Sequence, residues 1–293
     1  MPRTLAIEVP KDFSFRHTIQ SHGWCDLAPF EISGVKLTLS YVFAYPIASS
    51  PFTAIVSEAN GGLEIQYSAS KVDKKKLESA VKHILRLDDD LTTFYEKIKE
   101  ESGLAWVGKA KAGRLLRSPT VFEDLVKTIC TTNCSWALTK KMTTNLVEKL
   151  GSKSLDGGRA FPTAEAMAAM PDDFYRAEIK AGYRSPYFVE IAQAVAAGEL
   201  DPESWLDADM STSDLKKEMK KVKGVGDYAA ENLLKLVGRY DGLALDSWLR
   251  SEFYKKHNKE KACSDKKIEK HYKKFGDWKG LAIWCDMTER WFA

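Results

Sequence analysis

Residues 223–236 read KGVGDYAAENLLKL, and residues 243–248 read LALDSW. Gly224 and Gly226 flank Val225 and open AAENLLKL, whose apolar spacing predicts a helix. The preceding LKKEMKKVK is helical by the same test, so the pattern is helix, tight hairpin, helix. Glycines allow positive φ and let a ligand approach main chain with no Cβ in the way. The unpaired first-turn N–H groups of the second helix form an anion site, suited to gripping a DNA phosphate whatever the base sequence. Asp227 is the expected N-cap of that helix. A plain helix corner would also use such glycines.

Asp246 lies between apolar Leu245 and Trp248, and its ordinary role is N-cap of SWLRSEFYKK. Capping and chemistry are compatible. A carboxylate held by helix N–H groups stays ionised, and one that faced a cleft could stabilise a developing cation or orient water.

The chain has 293 residues, 44% hydrophobic and 29% charged, as expected of a soluble globular protein with room for two or three packed units. No apolar run approaches a membrane span, and the N-terminus lacks the apolar stretch of a secretory signal. The five cysteines include no CxxC pair, which argues against a zinc site or disulfide framework and for a cytoplasmic location, nucleoid-associated in a bacterium. Net charge is only +3, so nucleic-acid binding would rest on local clusters: 216–224, 255–261 and 265–274. Such runs are also what solvated helix faces look like.

Strand formers dominate the first part. Residues 33–47 and 53–70 alternate, with a hairpin turn at Asn60-Gly61-Gly62. From about Lys74 the spacing turns helical, with starts at Asp90 and Ser118-Pro119-Thr120, a stop at Gly151, and further helices at 163–170, 185–197, 211–221, 227–238, 247–256, 265–274 and from about 280. The expectation is an α+β chain: a small antiparallel β domain over 1–75, then a helical body over 76–293 with two lobes and a DNA cleft between them.

Taken together, GVG and an aspartate about twenty residues later resemble the helix-hairpin-helix (HhH-GPD) superfamily of DNA base-excision glycosylases. FEDLVKTICTTNCSW (122–136) is similar to the family's helix before a DNA-inserting loop. FPTAEAMAAM with AGYRSPYFVEIAQAV (161–195) is similar to another of its segments, and GDWKGLAIWCDMTERW (276–291) to the closing helix of the bacterial 3-methyladenine (alkylbase) branch. The resemblance covers about residues 85–292, and GYR leans toward the 8-oxoguanine branch.

The resemblance implies base excision from double-stranded DNA, with Asp246 as the catalytic group and Lys223, Gly224, Val225 and Gly226 at a phosphate. It implies that Tyr183 intercalates, Arg184 faces the orphaned base and Asn133 fills the gap. Tyr228 and Trp284 would face the flipped base, whose stacking favours alkylated purines. Members that also cleave the backbone carry a lysine where this chain has Tyr228, so the expected enzyme is monofunctional and hydrolytic. The alternatives are an 8-oxoguanine-type glycosylase/lyase and a non-catalytic DNA-binding module. Cys285 stands where the alkylbase pattern has a second aromatic. His22, Trp24 and Trp136 read as core packing. The resemblance allows a monovalent cation on the hairpin carbonyls when DNA is bound. Cys263 and Cys285 alone cannot hold an iron–sulfur cluster, and no other cofactor or metal is expected. The partner is damaged DNA rather than a membrane, and the chain is expected to act as a monomer.

Overall fold

The computed structural model describes residues 2–292. Five strands form one antiparallel sheet in the order β1-β5-β4-β3-β2. They are β1 (Arg3–Ile7), β2 (Glu31–Ser33), β3 (Thr38–Phe43), β4 (Phe52–Ala59) and β5 (Gly62–Tyr67). β2 to β5 are a meander, and β1 returns to pair with β5, Leu5 opposite Ile65. Asn60 and Gly61 take φ of 51° and 79°, the left-handed pair that a tight hairpin turn needs. The alternating stretch at 33–47 is not one strand: Ser33 ends β2 and a turn separates it from β3. β1 has too few residues for its alternation to stand out in the sequence.

Fourteen α-helices are described. The first four are α1 (Phe15–Ile19), α2 (Lys74–Leu85), α3 (Thr92–Ile98) and α4 (Ala105–Ala110). Then come α5 (Val121–Thr131), α6 (Trp136–Leu150), α7 (Ala164–Ala168), α8 (Asp172–Phe174) and α9 (Ser185–Ala196). The series closes with α10 (Thr212–Met219), α11 (Asp227–Leu236), α12 (Ser247–His257), α13 (Asp265–Tyr272) and α14 (Lys279–Thr288). α2 starts at Asp73, whose carboxylate accepts from Lys75 N and Lys76 N, and lays Leu77, Val81, Ile84 and Leu85 on the sheet's inner face. α5 is buried on nearly every side and is the axis of a second core, with α6, α9, α10 and α11 around it. The third core joins α3 and α4 to α12, α13 and α14.

Buried polar groups fasten the sheet side to α5. Tyr41 Oη donates to Glu123 at 2.5 Å, Glu123 pairs with Lys127 at 2.6 Å, and Trp24 Nε1 donates to Asp124 at 2.7 Å. Buried hydrogen-bonded pairs of this kind are costly to break from one side. Arg86, 1% exposed, donates to the Lys235 and Leu236 carbonyls. A fixed cation therefore closes the carboxyl end of α11 and complements its dipole.

The loop from 239 to 246 carries Asp246, and three contacts hold it. Glu231 of α11 accepts from Ala244 N at 2.5 Å, and Lys235 of α11 donates to Leu243 O at 3.0 Å. Gly280 N of α14 donates to Tyr240 O at 2.6 Å. Ala244 sits at φ 50°, a strained value for a side chain with a Cβ, and the clamp from Glu231 offsets that strain. α14 can come this close only because Gly280 has no side chain: a Cβ there would lie 2.0 Å from Gly242 O. Gly280→Ala should cost about 1–3 kcal/mol or more of stability. An unchanged denaturation midpoint would contradict this packing.

Candidate active site and nucleic-acid interface

The hairpin between α10 and α11 is built by Gly224 at φ 89°. A Cβ at Gly224 would also lie 2.6 Å from the Tyr187 ring, so glycine is needed for space as well as conformation. Gly226 differs from expectation. Its φ of −86° is open to any residue, and a Cβ there would meet nothing within 4 Å. Gly226 is itself the N-cap of α11, with no side-chain capping bond. Asp227 is therefore not the cap; its carboxylate is held by Lys216 at 3.2 Å and Lys220 at 3.0 Å. The consequence is chemical: the first-turn N–H groups of α11 face a groove with neither a capping oxygen nor a Cβ before them.

That groove has a volume of about 870 Å³, and Lys223, Gly224, Val225, Gly226, Asn133 and Tyr183 border it. The Val225 side chain is in the helical core, 5% exposed, so its main chain is what the groove can use. Lys223 is exposed and paired with Glu190. The other lysines near the hairpin are likewise paired: Lys217 with Asp214, Lys221 with Glu218. Exposed pairs of this kind are worth little and exchange readily for phosphate. Val222 O and Gly226 O accept main-chain bonds, whereas Lys223 O and Gly224 O receive none from the described main chain, so acceptors that suit a monovalent cation remain at the turn.

Across the groove, Asn133 takes φ 45° and is exposed at the loop between α5 and α6. Its Nδ2 lies 3.5 Å from Tyr183 Oη, and Tyr183 is 49% exposed. Arg184 corrects the expectation. It is 3% exposed, and its guanidinium turns inward to Thr132 O, Thr132 Oγ1 and Ala181 O, with Cζ 4.5 Å from the Tyr183 ring centre. Spent on those acceptors, it holds the Asn133 loop and backs Tyr183; it does not present a charge to the groove.

Asp246 caps α12, accepting from Leu249 N through Oδ1 at 2.7 Å. No donor among the described residues engages its other oxygen. Asp246 borders both the groove and a second cavity of about 590 Å³. Tyr228 and Thr131 also lie at the junction of the two. The Tyr228 hydroxyl is pushed above its ordinary range by burial and by the Asp246 charge.

Five tryptophans line the cavity: Trp24, Trp136, Trp248, Trp284 and Trp291. Trp248 stands 5.8 Å from Trp284 and 5.4 Å from Trp291, and Trp284 is fixed by its Nε1 donating to Ser21 O at 2.9 Å. Trp136 packs against Gly23, where a Cβ would meet its ring at 2.4 Å. Electron-rich rings of this kind suit a planar, cationic guest.

Two expectations change here. His22, Trp24 and Trp136 read as core packing; all three border the cavity, and Trp24 packs in the core as well. Cys285 points into the third core at 3% exposure, its thiol pushed up to about 12 by burial, so the residue at that position has no bearing on the cavity. Aromatic character is supplied by Trp248 and Trp291 instead.

Two buried titratable groups lie close to the Trp284 ring. Lys235 is buried, with Nζ 5.7 Å from the Trp284 ring, and burial lowers its ammonium to about 8. His22 is held down to about 4 by burial, with the Arg86, Lys127 and Lys235 charges adding to the effect. Away from the cleft, ligand atoms of His257, His271 and Asp286 gather within 4.8 Å. The Asp286 carboxylate there is already met by Tyr272 Oη, His257 Nε2 and the Lys256 ammonium.

A family model described as HhH-GPD superfamily base excision DNA repair protein matches residues 126–277, just over half of the chain. The chain belongs to that superfamily. It is a DNA glycosylase, a hydrolase of N-glycosyl bonds. Among solved structures, the fold of this HhH-GPD protein is similar to the 3-methyladenine DNA-glycosylase from Archaeoglobus fulgidus, with a TM-score of 0.78, 15% identity, and 99% of each chain covered. It is similar to the apo-form 8-oxoguanine glycosylase/lyase of Clostridium acetobutylicum at a TM-score of 0.74 and 19% identity, covering 97% of this chain and 95% of that one. MBOgg1 in complex with a low affinity DNA ligand gives 0.77 and 20%, covering 99% and 96%. No curated protein matches the sequence. Among the described residues no helix is long and apolar enough to cross a membrane.

Two outcomes follow from the clamp and the charges. Glu231→Ala leaves Ala244 N–H unpaired and should cost about 1–3 kcal/mol. It should also slow base release more than it weakens DNA binding; equal loss in both would contradict a positioning role. For pH, the unfolded chain takes up a proton on His22 near 6.5, which the folded chain refuses until about 4. His83, held down to about 3 mainly by burial, acts the same way. Stability therefore falls as pH drops from about 6.5 toward 4. Asp124, pushed up to about 6 by burial, works in the opposite sense below that pH. In His22→Gln, midpoints measured from pH 7 to 4.5 should show a shallower decline than in the wild type.

Proposed function

We propose that this HhH-GPD protein is a monofunctional glycosylase. It extrudes a damaged base from double-stranded DNA, alkylated purines in preference, and hydrolyses its N-glycosidic bond to leave an abasic site. The observation that carries the reading is Asp246, which keeps one oxygen uncommitted and borders both the groove and the tryptophan-lined cavity. In this reading the hairpin amides and Lys223 hold a phosphate beside the extruded nucleotide. Tyr183 and Asn133 occupy the gap, with Arg184 bracing them. The base passes Asp246 and stacks among the indoles, Trp284 and Tyr228 included. As the C1′–N bond breaks, its electron pair leaves with the base, and a cationic alkylated purine departs neutral. The Asp246 carboxylate stabilises the oxocarbenium-like sugar and orients the water that adds at C1′.

Tyr228 supports hydrolysis without strand cleavage, because a phenol cannot form an imine. Lys235 has the lowered basicity typical of Schiff-base lysines. It is 4% exposed, is committed to Leu243 O and does not border the cavity, so its amine has no path to C1′.

Asp246→Asn keeps a competent N-cap. It should reduce single-turnover base release by about 100-fold or more while leaving DNA affinity intact, and borohydride should trap no protein–DNA adduct. A variant releasing base at the wild-type rate would end the proposal.

A further inference from the structure

His22 lies outside the segments that carry the family resemblance, yet it borders the cavity between Trp24, with ring centres 5.0 Å apart, and Trp284, edge-on at 6.3 Å. Its Nε2 is 2.5 Å from Leu116 O. A carbonyl oxygen only accepts, so Nε2 carries the proton and Nδ1 the lone pair. No donor among the described residues reaches Nδ1, and Nδ1 is not among the sealed, unpartnered polar atoms. It therefore keeps accessible surface, and the space that His22 borders is the cavity. Arg86, Lys127 and Lys235 oppose a second proton on the ring.

We infer that His22 Nδ1 is a hydrogen-bond acceptor for the extruded base, selecting purines that present an N–H donor on the edge that meets the His22 ring. The inference rests on the glycosylase reading of this cavity. It deepens that reading by naming a recognition edge. A neutral imidazole suits a cationic alkylated purine twice over. It adds no positive charge, and the N–H groups of a charged ring system are stronger donors than those of a neutral one. Arg86, also buried nearby, is committed to carbonyls and Asp89 and cannot substitute.

The test separates the two ring nitrogens. Glutamine can copy the Nε2 donor to Leu116 but offers nothing at Nδ1, whereas asparagine can place its amide oxygen near Nδ1 and cannot reach Leu116. Single-turnover release is measured on duplexes carrying 7-methylguanine or 3-methyladenine, which have N–H donors, and 1,N6-ethenoadenine, which has none. The wild type should favour the donor-bearing bases by about 10-fold or more. His22→Gln should keep its melting midpoint, lose about that factor on those bases and leave ethenoadenine unchanged. His22→Asn should melt earlier but retain the preference. If His22→Gln releases every base at the wild-type rate, or if the preference tracks melting temperature across the two variants, the inference is overturned. A wild type inert on all three duplexes would instead count against the glycosylase reading itself.

Discussion

A single carboxylate divided between two tasks is the contact on which the site depends. One oxygen of Asp246 closes the start of α12 through Leu249 N–H, which fixes the side chain. The other has no donor among the described residues, and Asp246 borders both groove and cavity. That arrangement needs the preceding loop to arrive at the right depth. Glu231 and Lys235 of α11 and Gly280 of α14 set it.

α11 connects the two ends of the design. Its amino end is deliberately bare: Gly226 caps it without a side chain, and the dipole is open to an anion. Its carboxyl end is closed by the buried Arg86 guanidinium. Between them, one face of the helix carries Tyr228 and Asn232 to the cavity and Glu231 to the loop of Asp246. In the function we propose, grip on the backbone, recognition of the base and placement of the carboxylate all depend on this one rigid element, the kind of support a precise site requires.

The sheet side is not a separate appendage in physical terms. The segment from Gln20 to Asp26, between α1 and β2, forms one wall of the cavity, and Trp24 and Tyr41 tie that side to α5 through Asp124 and Glu123. Arg184 makes the complementary point. A long cation next to an exposed tyrosine reads as a surface contact, but burial turns it into a brace for the Asn133 loop. The exposed Tyr183 and Asn133 depend on that brace for their position.

The sequence by itself determined the class of the fold and the two motifs, because these rest on local rules. Spacing of apolar residues separates strand from helix, Gly224 marks a turn that needs positive φ, and Asp246 stands one residue before a helix. Local rules also misassigned the cap of α11, since Asp and Gly are both accepted there and only the surrounding lysines decided that Asp227 pairs sideways. The tryptophan cavity was decided by tertiary structure alone. Its walls come from residues 20–26, 131–139, 228–232, 244–249, 284 and 291, and no periodicity records which aromatic faces a void and which faces the core. The same holds for His22: its tautomer depends on Leu116 O, ninety-four positions away, and its neutrality on burial beside the charges of Arg86, Lys127 and Lys235, all distant in the chain.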